Sequence, residues 1–339
     1  MRQFHKDNHY VPQLYLKQWA IDNRIQTYRV LVPHQACPLW KRQSLKGIAQ
    51  HKHLYTQIVG GEETDEFERW LDMNFEAPAE EAILRAVNDQ PLRPDDYTRL
   101  IRFAMAQAVR TPAALRDFLQ RQLTELPALL QQSVNNAADR LKSGSVVATS
   151  PSIPNKGHGI PLKVSVKESS SGDAVLSAET ISGRGLWIWS LKHLLTNTVN
   201  KVPYTGWSIL RAPSGLSWPT SDNPLVRIGC ISRGNYNFGA GWGTPKADIF
   251  LPLGPFHLLH KCVGRRPFHR GHVVDLATAK FFRRIIIEHA DRYVFAVDAE
   301  DIHDVRTRKV CAATYEAERH AWENWHAEQT SAERDLLNR

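Results

Sequence analysis

Residues 95–112 read DDYTRLIRFAMAQAVRTP, and this stretch has the spacing of an amphipathic helix followed by a sharp stop. Leu100, Phe103 and Ala104 recur at steps of three and four, which places them on one helical face. An aspartate at the start can cap the N-terminus, and Thr111-Pro112 interrupts the pattern. We therefore predict a helix here and work outward from it.

The flanking residues indicate a helical first half and a strand-rich second half. Residues 1–143 carry further helical patterns at 12–20, 64–88 and 113–143, with short strands at 24–32 and 53–59. Residues 177–339 start with a helix and end with a charged helix over 312–337, with strands between them at 205–211, 225–228, 247–253 and 256–262. Helices first and strands later favour an α+β fold, in which a helical N-terminal half packs on a mostly antiparallel C-terminal sheet with late helices.

Residues 144–176 separate these halves and differ from both in composition. They contain SGS, SPSIPNKGHG and ESSSGD, which supply Ser, Pro and Gly but few large apolar groups. Such a segment is a long exposed loop, a hairpin insertion or the boundary between the halves.

The composition is that of a globular protein with a positive charge. Of 339 residues, 42% are apolar and 10 are tryptophan, which suffices for a sizeable core. The net charge of +8 favours anionic partners such as nucleic acid or phosphorylated metabolites without demanding them. The oligomeric state is left open.

The chain lacks the patterns of exported and membrane proteins. The N-terminal MRQFHKDNHYVPQ has no apolar run of the signal-peptide kind, and no window reaches the roughly 18 apolar residues of a membrane span. The 4 cysteines form no close pair, so neither a zinc ribbon nor a disulfide framework is indicated. We expect a cytoplasmic protein without membrane contact.

Gln107 and Arg110 are one turn apart on the otherwise apolar face of the predicted helix. Burying a guanidinium without a partner is very costly, so an acceptor must lie opposite Arg110. Asp222 is the acceptor that we predict. Arg110 would then form either a structural ion pair or an anion-binding clamp.

The pentapeptide Thr220-Ser221-Asp222-Asn223-Pro224 places four short polar groups at a strand-to-turn junction, where a core would want none. The proline restricts the preceding residue, so the Asp222 carboxylate should sit on a fixed turn. An Asx-turn explains one or two of these polar groups. All four together indicate a site.

His9 belongs to the motif His9-Tyr10-Val11-Pro12-Gln13 near the N-terminus. A histidine there can exchange a proton near neutral pH or fix a loop by hydrogen bonding. His5 and His9 are spaced i,i+4, and His51 and His53 lie two apart, but no third clustered ligand follows. We therefore assign no metal ligand.

Several well-known catalytic motifs are missing from the sequence. There is no GxxxxGK[ST] loop, no GxGxxG between a strand and a helix, and no GxSxG. The cofactor is therefore left unknown.

The three motifs together carry a family resemblance. HYVPQLYLKQWA, then QAVRTP, then WPTSDNPLV followed by IFLPLGP resembles the bacterial family called domain of unknown function 4238. The resemblance spans residues 8–296 and includes the helix that bears Glu68 and Glu76. It implies which positions form a site but names no reaction.

Our first hypothesis is an enzyme that acts on a phosphate or phosphodiester, such as an RNA-directed toxin or defence effector. Its catalytic residues are His9, Arg110 and Asp222, with Arg110 holding a phosphate and Asp222 or His9 as acid or base. The residues assigned to substrate binding are Gln13, Gln107, Thr220, Ser221 and Asn223. The alternative is a non-catalytic ligand- or nucleic-acid-binding protein. A metal hydrolase that uses His9, Glu76 and Asp222 is the third hypothesis.

Overall fold

The structure, a computed structural model, describes residues 4–143, 161–168, 174–232, 234–299 and 301–338. The α-helices in these residues are α1 (Gln13–Leu16), α2 (Glu66–Leu71), α3 (Ala77–Val87), α4 (Pro94–Val109), α5 (Pro112–Lys142), α6 (Arg184–His193), α7 (Leu276–His289) and α8 (Ala312–Asn338). The strands are β1 (Asp7–His9), β2 (Arg24–Arg29), β3 (Leu31–Val32), β4 (Trp40–Ser44), β5 (Gln50–Lys52), β6 (Gln57–Val59), β7 (Glu62–Thr64), β8 (Leu162–Glu168), β9 (Ala174–Thr180), β10 (Ser208–Arg211), β11 (Thr220–Ser221), β12 (Val226–Ser232), β13 (Asn235–Asn237), β14 (Asp248–Gly254), β15 (His257–Cys262), β16 (His272–Val273), β17 (Tyr293–Ala296) and β18 (Lys309–Val310).

The two larger sheets have six and four strands. The six-stranded sheet has the order β13-β12-β14-β15-β10-β16, and its pairs are antiparallel except β10 with β16. The four-stranded sheet has the order β11-β17-β2-β4 and is antiparallel throughout. Two-stranded pairs join β1 with β5, β3 with β18, β6 with β7, and β8 with β9.

The mixed α+β class is confirmed, but the predicted layering is not. Helix makes up 45% and strand 24%, and the N-terminal strands are mixed with the helices. Strands β2 and β4 of the first half complete a sheet with β11 and β17 of the second half. This mixing has a physical reason: the N–H and C=O groups on both edges of β17 need hydrogen-bond partners. Strand β2 provides the partners on one edge, and β11 provides them on the other.

Both halves also contribute to the largest buried cluster. Tyr15, Phe67 and Phe103 from the first half lie in it with Trp187 and Phe295 from the second. Helix α4 is at its centre, because its residues around 100–107 are buried on nearly every side. The end of α4, where Arg110 stands, is therefore deep inside the protein.

The predicted helix over 64–88 is divided by a π-helical turn. Asp72–Glu76 form this turn between α2 and α3, and Pro78 then lies in the first turn of α3, where a missing N–H is tolerated. Such turns are frequent at functional sites, since the extra residue rotates the next side chains. Here the turn ends at Glu76.

Part of the predicted insertion at 144–176 is described. Residues 144–160 and 169–173 lie outside the described residues, whereas β8 and β9 form an antiparallel hairpin. One face of this hairpin, with Leu176 and Ala178, borders a cavity of about 320 Å³ whose other wall includes Leu126 and Leu130 of α5. The described part of this segment therefore forms a hairpin, and a hairpin insertion is among the three structures that the composition allowed.

None of the helices among the described residues has both the length and the apolar content that a membrane crossing requires.

Candidate functional site

The three sequence motifs meet in space. The Tyr15 hydroxyl lies 2.7 Å from Thr220 Oγ1, which joins α1 to β11. Arg110 Nη2 donates to the carbonyl oxygen of His9 at 2.7 Å, and the Thr111 hydroxyl lies 3.4 Å from Asn223 Oδ1. Fragments about one hundred residues apart in the chain therefore form one contiguous region.

Arg110 is fully buried at the end of α4, and Glu76 provides its charged partner. Arg110 Nη1 lies 2.5 Å from Glu76 Oε1. The guanidinium also lies 5.6 Å from the centre of the Tyr55 ring, and the Tyr55 hydroxyl donates to the Arg110 carbonyl oxygen at 2.6 Å. The carbonyl of His9 accepts the other terminal nitrogen. The predicted ion pair with Asp222 is therefore wrong, because Glu76, brought there by the π-helical turn, takes that place.

Gln107 and Glu68 are further polar side chains in this buried region. Gln107 is fully buried, and neither atom of its amide has a hydrogen-bond partner among the described residues. Burial raises the pKa of Glu68 to about 8, against the opposing effect of Arg110, and Glu76 adds to the rise. A neutral Glu68 leaves Arg110 and Glu76 as the balanced charges of this region.

Asp222 binds the backbone of the loop between α7 and β17. Its Oδ1 accepts the N–H of Asp291 at 2.8 Å, and its Oδ2 accepts the N–H of Arg292 at 2.7 Å. The Asp222 N–H in turn donates to the carbonyl of Tyr293 at 3.1 Å. This carboxylate is held in a single orientation, because both of its oxygens are fixed by rigid donors.

The neighbours of Asp222 in the motif mostly stabilise the turn. Ser221 Oγ accepts the N–H of Asn223 at 3.2 Å, and the carbonyl of Asn223 accepts Nδ1–H of His289 at 2.9 Å. Thr220 is paired with Tyr15. Of the four polar residues of the motif, Asp222 is the one that lines a cleft.

That cleft, the Asp222 cleft, has a volume of about 630 Å³, which is in the range of ligand pockets. One wall comes from the folded core and the other from α8. Side chains that line it include Tyr10, His51, Arg116, Asp222, Asp291 and Trp322.

Opposite charges are concentrated at one side of the cleft. Arg116 Nη2 lies 2.5 Å from Asp291 Oδ1, and Arg292 Nη1 lies 2.9 Å from the same oxygen. Burial, followed by the nearby Asp291 carboxylate, raises the pKa of Asp222 above its ordinary value, although hydrogen bonds from the backbone of Asp291, Arg292 and Tyr293 oppose the rise. Both the burial and the neighbouring charge therefore favour the protonated form of Asp222.

Aromatic rings form another part of the cleft wall. The rings of Tyr10 and His51 are stacked with centres 5.4 Å apart, and those of His51 and Trp322 are stacked at 3.7 Å. Burial and the charge of Arg116 lower the pKa of His51 to about 4, so its imidazole is neutral at pH 7. This part of the wall is therefore aromatic, and its histidine is uncharged at pH 7.

His9 and Gln13 do not belong to the described lining of the cleft. Their side-chain nitrogens, His9 Nε2 and Gln13 Nε2, lie 3.3 Å apart. Burial lowers the pKa of His9, and the backbone of Lys46 opposes this effect. The backbone carbonyl of His9 binds Arg110, whereas its imidazole contacts the Gln13 side chain.

Sequence reasoning missed several residues of the cleft. Arg116 is one of many polar residues in the amphipathic stretch 113–143, and Asp291 stands in the short loop before β17. Trp322 lies in the charged terminal helix, and His51 was considered only as a metal ligand. None of these residues carries a local signal, because the cleft is assembled from distant segments.

The chain matches the family described as "Protein of unknown function (DUF4238)" over residues 7–300. It belongs to this family. The matched range includes the buried Arg110 region and the core wall of the Asp222 cleft, but it ends before α8. No curated protein and no solved structure matches the chain.

Replacing Arg110 by alanine should lower the free energy of unfolding by about 3–5 kcal/mol, because Glu76, whose side chain is only 14% exposed, would lose its charged partner. Denaturant unfolding measures this loss. Arg85→Ala is the matched control, since Arg85 pairs with Glu81 at the surface and its loss should be small. Equal effects of the two variants would contradict a structural role for the buried pair.

Replacing Glu68 by glutamine should reduce the pH dependence of stability. The pKa of Glu68 is about 8 in the folded protein and 4.5 ordinarily, so between these values the folded state holds a proton that the unfolded chain has released. The free energy of unfolding therefore falls as the pH rises. E68Q removes this contribution, which is at most about 1.4 kcal/mol per pH unit.

The measurement is a series of denaturant titrations between about pH 5 and pH 8.5. E66Q, which changes an exposed carboxylate in the same helix, is the control for charge. Identical slopes in E68Q and the wild type would show that Glu68 does not take up a proton on folding.

Proposed function

We propose that the protein is an enzyme that acts on a phosphate or phosphodiester bound in the Asp222 cleft. The observation that supports this proposal best is a buried carboxyl group at the cleft wall, next to a second carboxylate and an arginine, whose pKa is raised by burial and by that carboxylate. Perturbed carboxyl groups in clefts are typical of catalytic acids and bases.

Asp222 is the general acid or base in this proposal. Its two oxygens are oriented by the N–H groups of Asp291 and Arg292, and a carboxyl group in a fixed position transfers a proton efficiently. The carboxyl group borders the cleft, where a substrate hydroxyl or a water would have to approach it. The charge of Asp291 favours the protonated form of Asp222.

Arg116 takes the anion-binding role that the sequence analysis gave to Arg110. Its side chain is 48% exposed, so the guanidinium is accessible while it contacts Asp291. A planar guanidinium can bind two phosphate oxygens at once. The Arg110 guanidinium already binds Glu76 and the His9 carbonyl, so we propose a positioning role for it.

The remaining residues of the predicted site also act indirectly in this proposal. His9 contributes its backbone to the Arg110 region, and Gln13 contacts the His9 side chain. Thr220, Ser221 and Asn223 fix the turn that presents Asp222. We keep Gln107 as a buried polar group without an assigned role in substrate binding.

The ring stack favours a substrate with a planar base. Tyr10, His51 and Trp322 offer a neutral aromatic surface within the same cleft as Arg116, and bases stack on such surfaces. A nucleotide or RNA has both a base and a phosphodiester. An RNA-directed toxin or defence effector fits this chemistry.

The same observation favours a second candidate, a ligand- or nucleic-acid-binding protein without catalysis. In that case the stack and the arginine would bind the ligand, and Asp222 would only stabilise the turn. The two candidates differ in what the loss of the Asp222 carboxyl does to turnover.

Asp222→Asn should lower kcat on a panel of RNA, DNA and nucleotide substrates by about 10²–10⁴-fold, because the group that transfers the proton is lost. In the wild type, kcat should rise with increasing pH if Asp222 is the base and fall with increasing pH if it is the acid, with a midpoint above the ordinary pKa of an aspartate. Arg116→Ala should instead raise KM for anionic substrates.

Arg121→Ala, on the same helix as Arg116 but outside the described lining, is the control for surface charge. Thermal melts of D222N separate loss of folding from loss of turnover, since the amide cannot accept both backbone N–H groups. Full activity of a folded D222N would reject the catalytic role.

Trp322→Ala should weaken binding of a nonspecific RNA under both candidate functions, because base stacking contributes about 1–3 kcal/mol per base. D222N should leave binding nearly intact. Affinity should fall steeply between about 50 and 200 mM salt, since bound phosphates release counterions. Gel-shift titrations measure this, and absence of binding at low salt would restrict the substrate to a small phosphorylated molecule.

A further inference from the structure

A second ring stack lies beside the one in the Asp222 cleft. His53 and His326 are stacked with centres 3.7 Å apart, two residues after His51 along the chain and one helical turn after Trp322 on α8. Glu63 of β7 lies next to them, and one possible ligand atom from each of these three residues is within 4.8 Å of the other two. Three chain segments therefore converge on two imidazoles and a carboxylate.

The His53 side chain is held by a strained backbone. Its φ is +55°, in the left-handed region that a histidine seldom adopts. The His53 N–H donates to the carbonyl of Lys6 at 2.7 Å, and its Nδ1 lies 3.1 Å from the hydroxyl of Thr56. Such strain is frequent at functional sites. Because Nδ1 has a partner, Nε2 of His53 is the nitrogen left for a ligand.

His326 is oriented by α6 and by its own helix. Its Nε2 lies 3.1 Å from Glu63 Oε1, and its Nδ1 lies 3.1 Å from Arg184 Nη1 and 3.4 Å from Thr330 Oγ1. Arg184 is itself paired with Glu333 at 2.7 Å, which offsets its charge. Because a guanidinium can only donate, His326 Nδ1 accepts from Arg184, and Nε2 carries the ring proton toward Glu63. If Nε2 bound a cation, the proton would move to Nδ1 and donate to Thr330, while Arg184 turned away from Nδ1 and kept Glu333.

We propose that His53, Glu63 and His326 bind a divalent transition metal ion, with Zn²⁺ as the best match. Two imidazole nitrogens and one carboxylate oxygen are a common zinc ligand set, and they leave a fourth position for water. Oxygen-preferring Mg²⁺ is a poor match to two imidazoles. Binding requires the two rings to turn from their parallel arrangement so that both Nε2 lone pairs point at the ion.

The ion would join α8 to the core. His326 belongs to α8, which lies beyond the range matched by the family, whereas His53 and Glu63 lie within that range. His53 and His326 also line the Asp222 cleft, so the bound ion would fix one of its walls. The proposal concerns metal binding alone and does not depend on the reaction.

The test is a titration of chelator-treated, tag-free protein with Zn²⁺ and with Co²⁺ at about pH 7.5. Calorimetry should give one site per chain, and the melting temperature should rise, since an ion that binds only the folded state stabilises it. Co²⁺ should give the visible absorption of a low-coordinate nitrogen- and oxygen-ligated site. Mg²⁺ should neither raise the melting temperature nor compete.

Three variants remove one ligand each. H53N removes the imidazole but introduces asparagine, which tolerates the left-handed backbone. E63Q changes an accessible side chain, and H326A removes the α8 ligand. Each should weaken Zn²⁺ binding by about tenfold or more. H320A, an exposed histidine on the same helix, is the matched control and should leave affinity unchanged.

Absence of Zn²⁺ binding by the folded wild type would overturn the proposal. Unchanged Zn²⁺ affinity in H53N and E63Q would also overturn it. The same holds if H320A weakens Zn²⁺ binding as much as H326A does. Because E63Q changes only an accessible carboxylate, its result stands even if one histidine variant fails to fold.

Discussion

The buried Arg110 guanidinium is the group on which the rest of this structure depends. A guanidinium without solvent must have acceptors on every side, and here Glu76, the His9 carbonyl and the Tyr55 hydroxyl surround it. These partners come from three separate segments. Moving any one of them would leave a buried charge or a buried carbonyl without a partner, which costs free energy. This cost keeps the N-terminal motif bound to the end of α4.

The N-terminal motif connects the buried Arg110 region to the Asp222 cleft. His9 is bound through its carbonyl, and Tyr10, the next residue, lines the Asp222 cleft. Burial raises the pKa of Tyr10, and the Asp222 carboxylate adds to the rise. The polar residues of the motifs thus separate into two groups. Arg110 and its partners hold the backbone, whereas Asp222 both fixes the loop before β17 and borders the cleft.

Helix α8 gives the cleft its second wall and is attached by polar contacts. Arg292 binds Glu318 through two nitrogens at 2.8 and 2.5 Å, and fully buried Arg184 binds Glu333. The ring stacks of His51 with Trp322 and of His53 with His326 lie between these ion pairs along the helix. Helix α8, and with it this wall of the cleft, lies beyond residues 7–300 that match the family.

The sequence by itself determined the local elements and the positions of the motifs. The periodicity of α4 and α5, the strand character of β14 and β15, and the terminal helix α8 follow from spacing within one segment, and the structure has each of them close to the predicted bounds. The TSDNP motif also indicated a fixed turn from local sequence alone. Proline restricts the backbone of the residue before it, and short polar side chains form hydrogen bonds with nearby backbone groups.

Only the tertiary structure decided which distant residues meet. The partner of Arg110 is Glu76, the last residue of a π-helical turn, and no periodicity in the sequence marks that turn. The pairing of β2 with β17 and the approach of His326 to His53 join residues more than 260 positions apart. Such contacts form because buried charges and the backbone groups of strand edges need partners, which come from anywhere in the fold. The sequence around any one of these residues does not indicate which distant residue that partner is.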